Sequence, residues 1–309
     1  MSNVGEERIE MRFGFWPGAG SDWEDTIGLC RHVEATGWDG IWYADHFMPN
    51  VADPVGPTNE SWTFVAAIAA SVPRVRIGHL VNGNTYRYPP VTAKMAAGVD
   101  QISGGRFILG LGAGWQENEH AAYGIPFYDM PERLRRLDEA CAIITGLFSE
   151  GKTSFAGRYY TVNDAPLNPK PVQSPLPIMI GGGGEKVTLK IAAKYAHEWN
   201  VWGDPDTLRH KMSVLDDHCS KVGRDPAAIQ RSAAALLVLS DDAAEVEKAA
   251  SMGRPVIAGN VDQVKTIVQR YVDAGVDEII IPDFNLGASV EEKLAIADRF
   301  ITEVGSEFR

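Results

Sequence analysis

The sequence predicts a (β/α)8 TIM barrel, and three observations carry that expectation. Short apolar runs alternate with amphipathic stretches along the chain, eight such strand–helix units fit within 309 residues, and no shift in composition marks a linker. Alternation of this kind implies a parallel sheet, open or closed. An open doubly wound sheet is the competitor, but the glycine fingerprint that it often carries is missing. Residues 1–309 therefore read as one barrel domain, with an inserted hairpin and loop region around 150–177.

Met11–Trp16 supplies a first strand, and Ser21 with Glu24 forms a capping-box pattern for a helix that Gly37 closes. Gly40–Ala44 is a second strand that runs directly into Asp45-His46. A loop rich in Pro and Gly follows to about Asn59, then a helix with Trp62, Val65, Ala66 and Ala69 on one face. Val75–Val81 is a third strand ending at Asn82-Gly83-Asn84, and a helix covers about Val91 to Ile102. Arg106–Gly112 is a fourth strand, ending at Ala113-Gly114-Trp115. Pro131 suits the first turn of a long helix that reaches about Ser149. Thr153–Val162 reads as a small hairpin turning at Ala156-Gly157, and Pro166–Pro177 is rich in proline; this excursion interrupts the alternation.

Pro177-Ile178-Met179-Ile180 then ends in four glycines, Gly181 to Gly184, which open a helix through Glu185-Lys186-Val187-Thr188-Leu189. Glu198–Trp202 is a short strand, and Asp204-Pro205 starts a helix. Ser232–Leu239 is a seventh strand, followed by a helical stretch from Asp241-Asp242. Asn260 with Gln263 makes a second capping box, for a helix ending at Gly275. Asp277–Pro282 is the last strand and Glu291–Val304 the last helix.

Composition narrows the function. Apolar residues at 45% and charged residues at 23% are ordinary for a globular protein with a substantial core. A net charge of −12 without a basic cluster argues against a nucleic-acid partner. No apolar run approaches a membrane span, and Met1–Glu7 lacks a signal-peptide pattern, so a cytoplasmic location without a membrane partner is expected. Cys30, Cys141 and Cys219 are far apart, and the latter two fall on apolar helix faces. No disulfide, nucleophile or metal site is assigned to them.

In a barrel of this type, active sites gather at the carboxyl ends of the strands. Those ends carry Asp45-His46, Leu80-Val81-Asn82, Gly112-Ala113-Gly114-Trp115, Gly181 to Gly184, and Asn200-Val201-Trp202. Glycines there leave backbone N–H groups uncovered, and a helix start adds partial positive charge, which suits an anion. The spacing matches neither a Walker loop nor a dinucleotide fingerprint. Two tryptophans suit stacking on a ring, and His46 stands beside a carboxylate. Together these ends suggest a planar, phosphate-bearing cofactor, with an unliganded strand–helix turn as the plain alternative for the glycines.

Four stretches also resemble a known family: Gly40-Ile41-Trp42-Tyr43-Ala44-Asp45-His46-Phe47, Gly83-Asn84-Thr85-Tyr86-Arg87-Tyr88-Pro89, Gly104–Trp115, and Gly181–Lys186. They are similar to the luciferase-like monooxygenase superfamily, and within it to oxidoreductases that use the deazaflavin coenzyme F420. The resemblance implies a barrel with an insertion, a homodimer, and reduced flavin mononucleotide (FMN) or F420 bound in the barrel mouth. It implies that Asp45 and His46 lie near the reactive edge of the ring, with His46 as general acid or base; histidine as a residue type exchanges protons near neutral pH. It places a non-prolyl cis peptide at Leu80-Val81, forming a bulge behind the central ring. Asn82, Gly112, Ala113, Gly114 and Trp202 become cofactor contacts, and Gly181, Gly182, Gly183 and Gly184 the phosphate cradle.

One departure is visible. F420 enzymes that oxidise a sugar phosphate carry an acid directly after the strand-four glycine turn, where this chain has Trp115. Trp115 is instead expected to cover an apolar substrate pocket, with packing against neighbouring helices alone as the plain alternative. The first functional expectation is hydride transfer between F420 and a small organic substrate, with His46 handling the proton. The alternative is a monooxygenase using reduced FMN and oxygen, and a non-enzymatic cofactor carrier is the third. Substrate contacts are expected from Phe47–Glu60, Thr153–Pro177 and Gly253–Gly259.

Overall fold

A computed structural model describes residues 10–249 and 251–309; the amino-terminal stretch read above for a signal pattern lies outside the described residues. In chain order the elements are β1 (Arg12–Trp16), α1 (Trp23–Thr36), β2 (Gly40–Tyr43), α2 (Ser61–Ser71), β3 (Arg76–His79), β4 (Asn82–Gly83), α3 (Pro89–Ser103) and β5 (Phe107–Gly112). Next come α4 (Glu117–Ala122), α5 (Met130–Ser149), β6 (Thr153–Ala156), β7 (Thr161–Ala165), β8 (Ile178–Gly181), α6 (Thr188–Tyr195), β9 (Glu198–Trp202) and α7 (Pro205–Val222). The chain finishes with β10 (Gln230–Ala234), β11 (Leu236–Leu239), α8 (Ala243–Ala249), β12 (Val256–Gly259), α9 (Val261–Asp273), β13 (Glu278–Pro282) and α10 (Val290–Glu303).

Eight parallel strands close on themselves in the order β1, β2, β3, β5, β8, β9, β10, β13, and β13 pairs back to β1. This is the expected (β/α)8 barrel, and β6 and β7 form the inserted antiparallel hairpin. Local signals place several ends. Asp204 caps α7, the Asn260–Gln263 box caps α9, and Gly37 closes α1 at φ 103°.

Five readings change. Asp22 caps α1 through the Asp25 N–H, so Ser21 is not the cap. The third strand breaks at Leu80-Val81, whose peptide bond is cis as expected, and Asn82–Gly83 rejoins the sheet beside β5. The seventh strand is two: β10 stays in the barrel, while β11 leaves it to pair with the unanticipated β12. The helix after the glycine loop opens at Thr188 and not at Glu185, whose carbonyl accepts from His218 at 2.8 Å. The six-residue α4 was not foreseen, because its Glu-Asn-Glu-His-Ala-Ala sequence has no apolar period.

Alternate strand residues point inward and outward, so two apolar clusters form. The outward one packs strands against helices and includes Phe13, Ile41, Ile77, Phe107 and Leu109. The inward one fills the barrel with Trp42, Ile108, Met179 and Ile280, topped by Trp16 and Leu80. Trp42 needs bare neighbours: a Cβ on Gly14 or Gly78 would lie 2.6 Å from its ring.

The barrel foot is charged. Arg12, Arg76, Glu198 and Glu278 each open a strand, so they meet in one layer. Arg76 bonds Glu278 at 2.9 Å and pairs with Glu198, and Trp42 Nε1 donates to the other Glu278 oxygen at 2.9 Å. Burial pushes the Glu198 carboxyl up, against the pull of Arg76. Removing one member of such a layer leaves buried carboxylates uncompensated. Arg76→Met is therefore expected to lower unfolding free energy by about 3 kcal/mol, the low end for a buried pair since Arg76 keeps some solvent access. Chemical denaturation checks this; a loss below about 1 kcal/mol would mean that the layer is solvated surface charge.

Candidate active site

A cavity of about 520 Å³ lies over the carboxyl ends of the strands. It brings together Asp45, His46, Leu80, Val81, Asn82, Gly112, Ala113, Gly114, Trp115, Gly181, Gly182 and Trp202 from the sequence reading. Gly183 and Gly184 stand outside its lining.

The floor is built on Val81. A Cβ on Gly112 would lie 2.7 Å from one Val81 methyl, and a Cβ on Gly181 would lie 2.8 Å from both. Real side chains do not approach that closely, so β5 and β8 must end in glycine for Val81 to stand between them. These two glycines, expected as ligand contacts, clear space for the bulge. Nearby, a Cβ on Gly110 would meet the His79 carbonyl oxygen at 1.8 Å, which fixes the β3–β5 approach.

At the end of β2, Asp45 is buried and fully engaged. Its oxygens accept from Arg87 at 2.7 and 3.2 Å and from the Gly83 N–H at 3.1 Å. Burial raises its pKa above the ordinary range, while Arg87 and the Gly83 N–H pull the other way. Arg87 also donates to Glu60 at 2.8 Å and to Asn82 Oδ1 at 3.1 Å, and Trp62 Nε1 donates to that same Asn82 oxygen at 2.8 Å. Asp45 thus pins β4 and the start of α2 to β2.

His46 has a partner that the sequence reading missed. Its Nδ1 lies 2.8 Å from Glu119 Oε1, the Phe47 N–H donates to Glu119 Oε2 at 2.7 Å, and the Tyr86 hydroxyl also donates to Oε1. Glu119, on α4, is completely buried. Burial on its own would raise its pKa, but the bonds from His46, Phe47 and Tyr86 more than offset this and hold the carboxyl below the ordinary glutamate range. Burial, together with the Glu119 contact, pushes the Tyr86 phenol up, so Tyr86 stays a donor. A carboxylate only accepts, so the proton of neutral His46 sits on Nδ1 and Nε2 keeps its lone pair. Trp115 and His46 meet in a T-shaped pair, 5.4 Å between ring centroids. Trp115 is 57% exposed, and with Met130 and Leu134 of α5 it gives the cavity an apolar side.

On the β8–β9 side, Gly182 takes φ 122° and its N–H donates to the Asn200 carbonyl at 2.9 Å. Thr188, at the start of α6, lines the cavity beside it. Lys211 donates to the Gly183 carbonyl at 2.8 Å and to Glu185 at 3.1 Å, which ties the rest of the glycine run to α7. Trp16 and Trp202 approach at 5.9 Å to form the remaining wall, and the Arg254 guanidinium lies 4.7 Å from the Trp202 ring centre. Of the three stretches expected to touch substrate, Phe47–Glu60 and Thr153–Pro177 contribute no lining residue, whereas Gly253–Gly259 contributes Arg254. Among the described residues no group of three or more His, Cys, Asp or Glu could hold a metal ion. No described helix is long and apolar enough to cross a membrane.

Residues 9–280 match the family described as luciferase-like monooxygenase. The F420-dependent glucose-6-phosphate dehydrogenase of Microbacterium testaceum (strain StLB037) is 34% identical over 196 residues, 62% of this chain and 57% of that protein. The F420-dependent hydroxymycolic acid dehydrogenase of Mycobacterium tuberculosis (strain ATCC 25618 / H37Rv) is 29% identical over 263 residues, 84% of this chain and 71% of that protein. The chain thus spans little more than half the length of the first of these curated relatives. An F420-dependent secondary alcohol dehydrogenase, solved with an F420–acetone adduct, superposes with a TM-score of 0.83 at 20% identity, covering 96% of this chain and 99% of that chain. At that identity the likeness is one of fold.

Two outcomes follow from this geometry. Gly112→Ala should cost about 1–3 kcal/mol by crowding Val81, whereas Gly98→Ala in α3, where a Cβ meets nothing within 4 Å, should stabilise by up to about 1 kcal/mol. Equal effects in denaturant titrations would show that Val81 is not wedged. The depressed Glu119 carboxyl contributes stability that is present above the ordinary glutamate range and lost as pH falls through its lower folded value. Stability measured against pH should therefore fall less steeply on the acid side in Glu119→Gln than in the wild type. An unchanged slope would place the acid dependence elsewhere.

Proposed function

The chain belongs to the luciferase-like monooxygenase family, and from that premise we propose that it is an F420-dependent oxidoreductase transferring a hydride between the cofactor and a small organic substrate. The observation that carries this reading is His46, with Nδ1 committed to Glu119 and Nε2 without a partner among the described residues, at the rim of a cavity floored by Val81.

The residues present fit a planar, phosphate-bearing group. Gly112 and Gly181 bring no side chain above the Val81 floor, Trp16 and Trp202 supply an aromatic wall, and Gly182 with Thr188 supplies a glycine turn at a helix start. F420, when bound, supplies the hydride acceptor or donor. His46 Nε2 takes the substrate proton in the oxidising direction, or returns it from the imidazolium in the reducing direction. Glu119 stabilises that imidazolium and fixes the ring, as an acceptor behind a catalytic histidine does. Asp45 is assigned to positioning, since both its oxygens are held by Arg87 and Gly83. Trp115 and the two α5 side chains exclude water from the reacting edge.

By the family resemblance, Trp115 stands where F420 enzymes that oxidise a sugar phosphate are expected to carry an acid, and Glu119 does not replace that acid, because it is buried and bonded to three donors. The substrate is accordingly assigned to a class other than sugar phosphates. The family's own description favours a second reading, a monooxygenase that uses reduced FMN and oxygen in the same cavity. A homodimer accompanies either reading, supported by the exposed apolar side chains of Tyr88, at the cap of α3, and of Val91 and Ile102 on that helix, and a cytoplasmic location is supported by three buried, unpaired cysteines.

Equilibrium binding of F420 against FMN to the purified protein separates the two readings. F420 should bind more tightly, and the reduced holoprotein should consume no oxygen; tighter FMN binding with oxygen uptake would replace the first reading by the second. His46→Ala should lower turnover by about 10²–10⁴-fold while leaving F420 affinity within about threefold. Undiminished turnover would remove His46 from the proton transfer.

A further inference from the structure

One oxygen of Glu119 serves two side chains, and the hydride-transfer reading gives a task to only one of them. His46 Nδ1 lies 2.8 Å from Oε1, the Tyr86 hydroxyl donates to that same atom, and the Phe47 N–H takes Oε2 at 2.7 Å. Tyr86 also lines the cavity beside His46. Its phenol is held for this contact. The ring packs against Phe47 and His120, each at 4.8 Å between centroids. His120 is itself fixed by bonds to the Gln116 carbonyl and the Thr85 hydroxyl, both at 2.7 Å. Gly83 leaves the phenol its space, since a Cβ there would lie 2.5 Å from the ring.

A carboxylate behind His46 stabilises the imidazolium, and the more charge Oε1 carries, the more tightly the ring holds a second proton. The Tyr86 hydroxyl donates into that oxygen and takes up part of its charge, so less remains for the Nδ1–H. Burial and the Glu119 contact keep the phenol protonated, which leaves it a donor throughout. A general acid–base works best when it gives up its proton as readily as it takes it. The other charged groups near the ring are already paired. Asp45, which precedes His46, is bonded by Arg87 and by the Gly83 N–H, and Glu60 is bonded by that same Arg87. The Tyr123 hydroxyl turns to the Phe47 carbonyl at 3.2 Å, and Trp115, against the ring, brings no charge. Among the described residues Glu119 is thus the one carboxylate bonded to His46, and Tyr86 the one other side chain bonded to the Glu119 carboxylate.

We propose that Tyr86 is a positioning residue that acts on His46 through Glu119: by sharing Oε1 with His46 Nδ1, its hydroxyl limits how tightly His46 holds the proton that it exchanges with substrate. The exchange with substrate rests on the function proposed above; the coupling of the three side chains does not.

Histidine ring NMR of the cofactor-free protein tests the coupling, with the His46 signal identified by its loss in His46→Ala. The wild type is compared with Tyr86→Phe, which removes the hydroxyl and keeps the ring, and with 3-fluorotyrosine at position 86, whose hydroxyl is a stronger donor. Relative to the wild type, the titration midpoint of His46 should rise in Tyr86→Phe by about half a unit to one unit, a roughly threefold to tenfold gain in proton affinity. It should fall in the fluorotyrosine protein, an opposed shift that a purely structural role of the ring does not produce. In a Glu119→Gln background, Tyr86→Phe should leave the midpoint where it is. An unmoved midpoint in Tyr86→Phe, shifts of one sign in both replacements, or a shift that persists without the Glu119 carboxylate would each overturn the proposal. If the Glu119→Gln proteins do not fold, the two Tyr86 replacements decide alone. F420 is titrated into the same samples. Failure of the wild type to bind it would sink the cofactor reading alone, because the midpoints are read without cofactor.

Discussion

The wedging of Val81 between two strands that end in glycine is the constraint from which the candidate site follows. With any other residue at position 112 or 181, a Cβ would collide with the Val81 methyls. The bulge interrupts β3 and lets the chain re-enter the sheet as Asn82–Gly83. That re-entry presents the Gly83 N–H to Asp45 and Asn82 Oδ1 to Arg87 and Trp62. Asp45, so fixed, is followed directly by His46, whose ring Glu119 then orients. A steric feature of the floor is thus joined, bond by bond, to the one histidine at the rim.

Along the barrel axis, stability and chemistry are kept apart. Charged residues close the foot, where Arg76 bridges Glu198 and Glu278. Trp42 fills the middle, in space that Gly14 and Gly78 leave open, and its N–H satisfies Glu278. Only above this plug does the interior open into a cavity. The division matches the general behaviour of this architecture, in which the amino-terminal face carries stability and the carboxyl-terminal loops carry chemistry. It also explains how the mouth tolerates an exposed guanidinium and exposed aromatic side chains without disturbing the core.

Most of the fold was legible because it is written locally. Apolar period, capping residues such as Asp204 and Asn260, and glycine or proline punctuation each act within a few residues. The strand ends were legible for the same reason, and they located the cavity. What escaped is non-local. Leu236–Leu239 is apolar whether it pairs inside the barrel or with β12, so composition could not reveal its change of partner. Glu119 meets His46 across 73 positions, from a helix too short and polar to show a period. Arg87 lay inside a recognised stretch, yet its bond to Asp45 depends on the bulge between them. The glycine run at 181–184 was read as one cradle, but Lys211 draws Gly183 toward α7, and two of its four residues reach the cavity.

In the proposed function, the cavity over Val81 seats the cofactor with its reactive edge toward His46 Nε2. A crystal structure grown with F420 and a substrate analogue tests it most directly. With F420 bound, the tricycle should rest on Val81, with its phosphate on the Gly182–Thr188 side and the analogue's polar atom within hydrogen-bonding distance of His46 Nε2. A tricycle bound away from Val81, or a His46 ring that presents Nδ1 to the cavity and leaves Glu119, would contradict it.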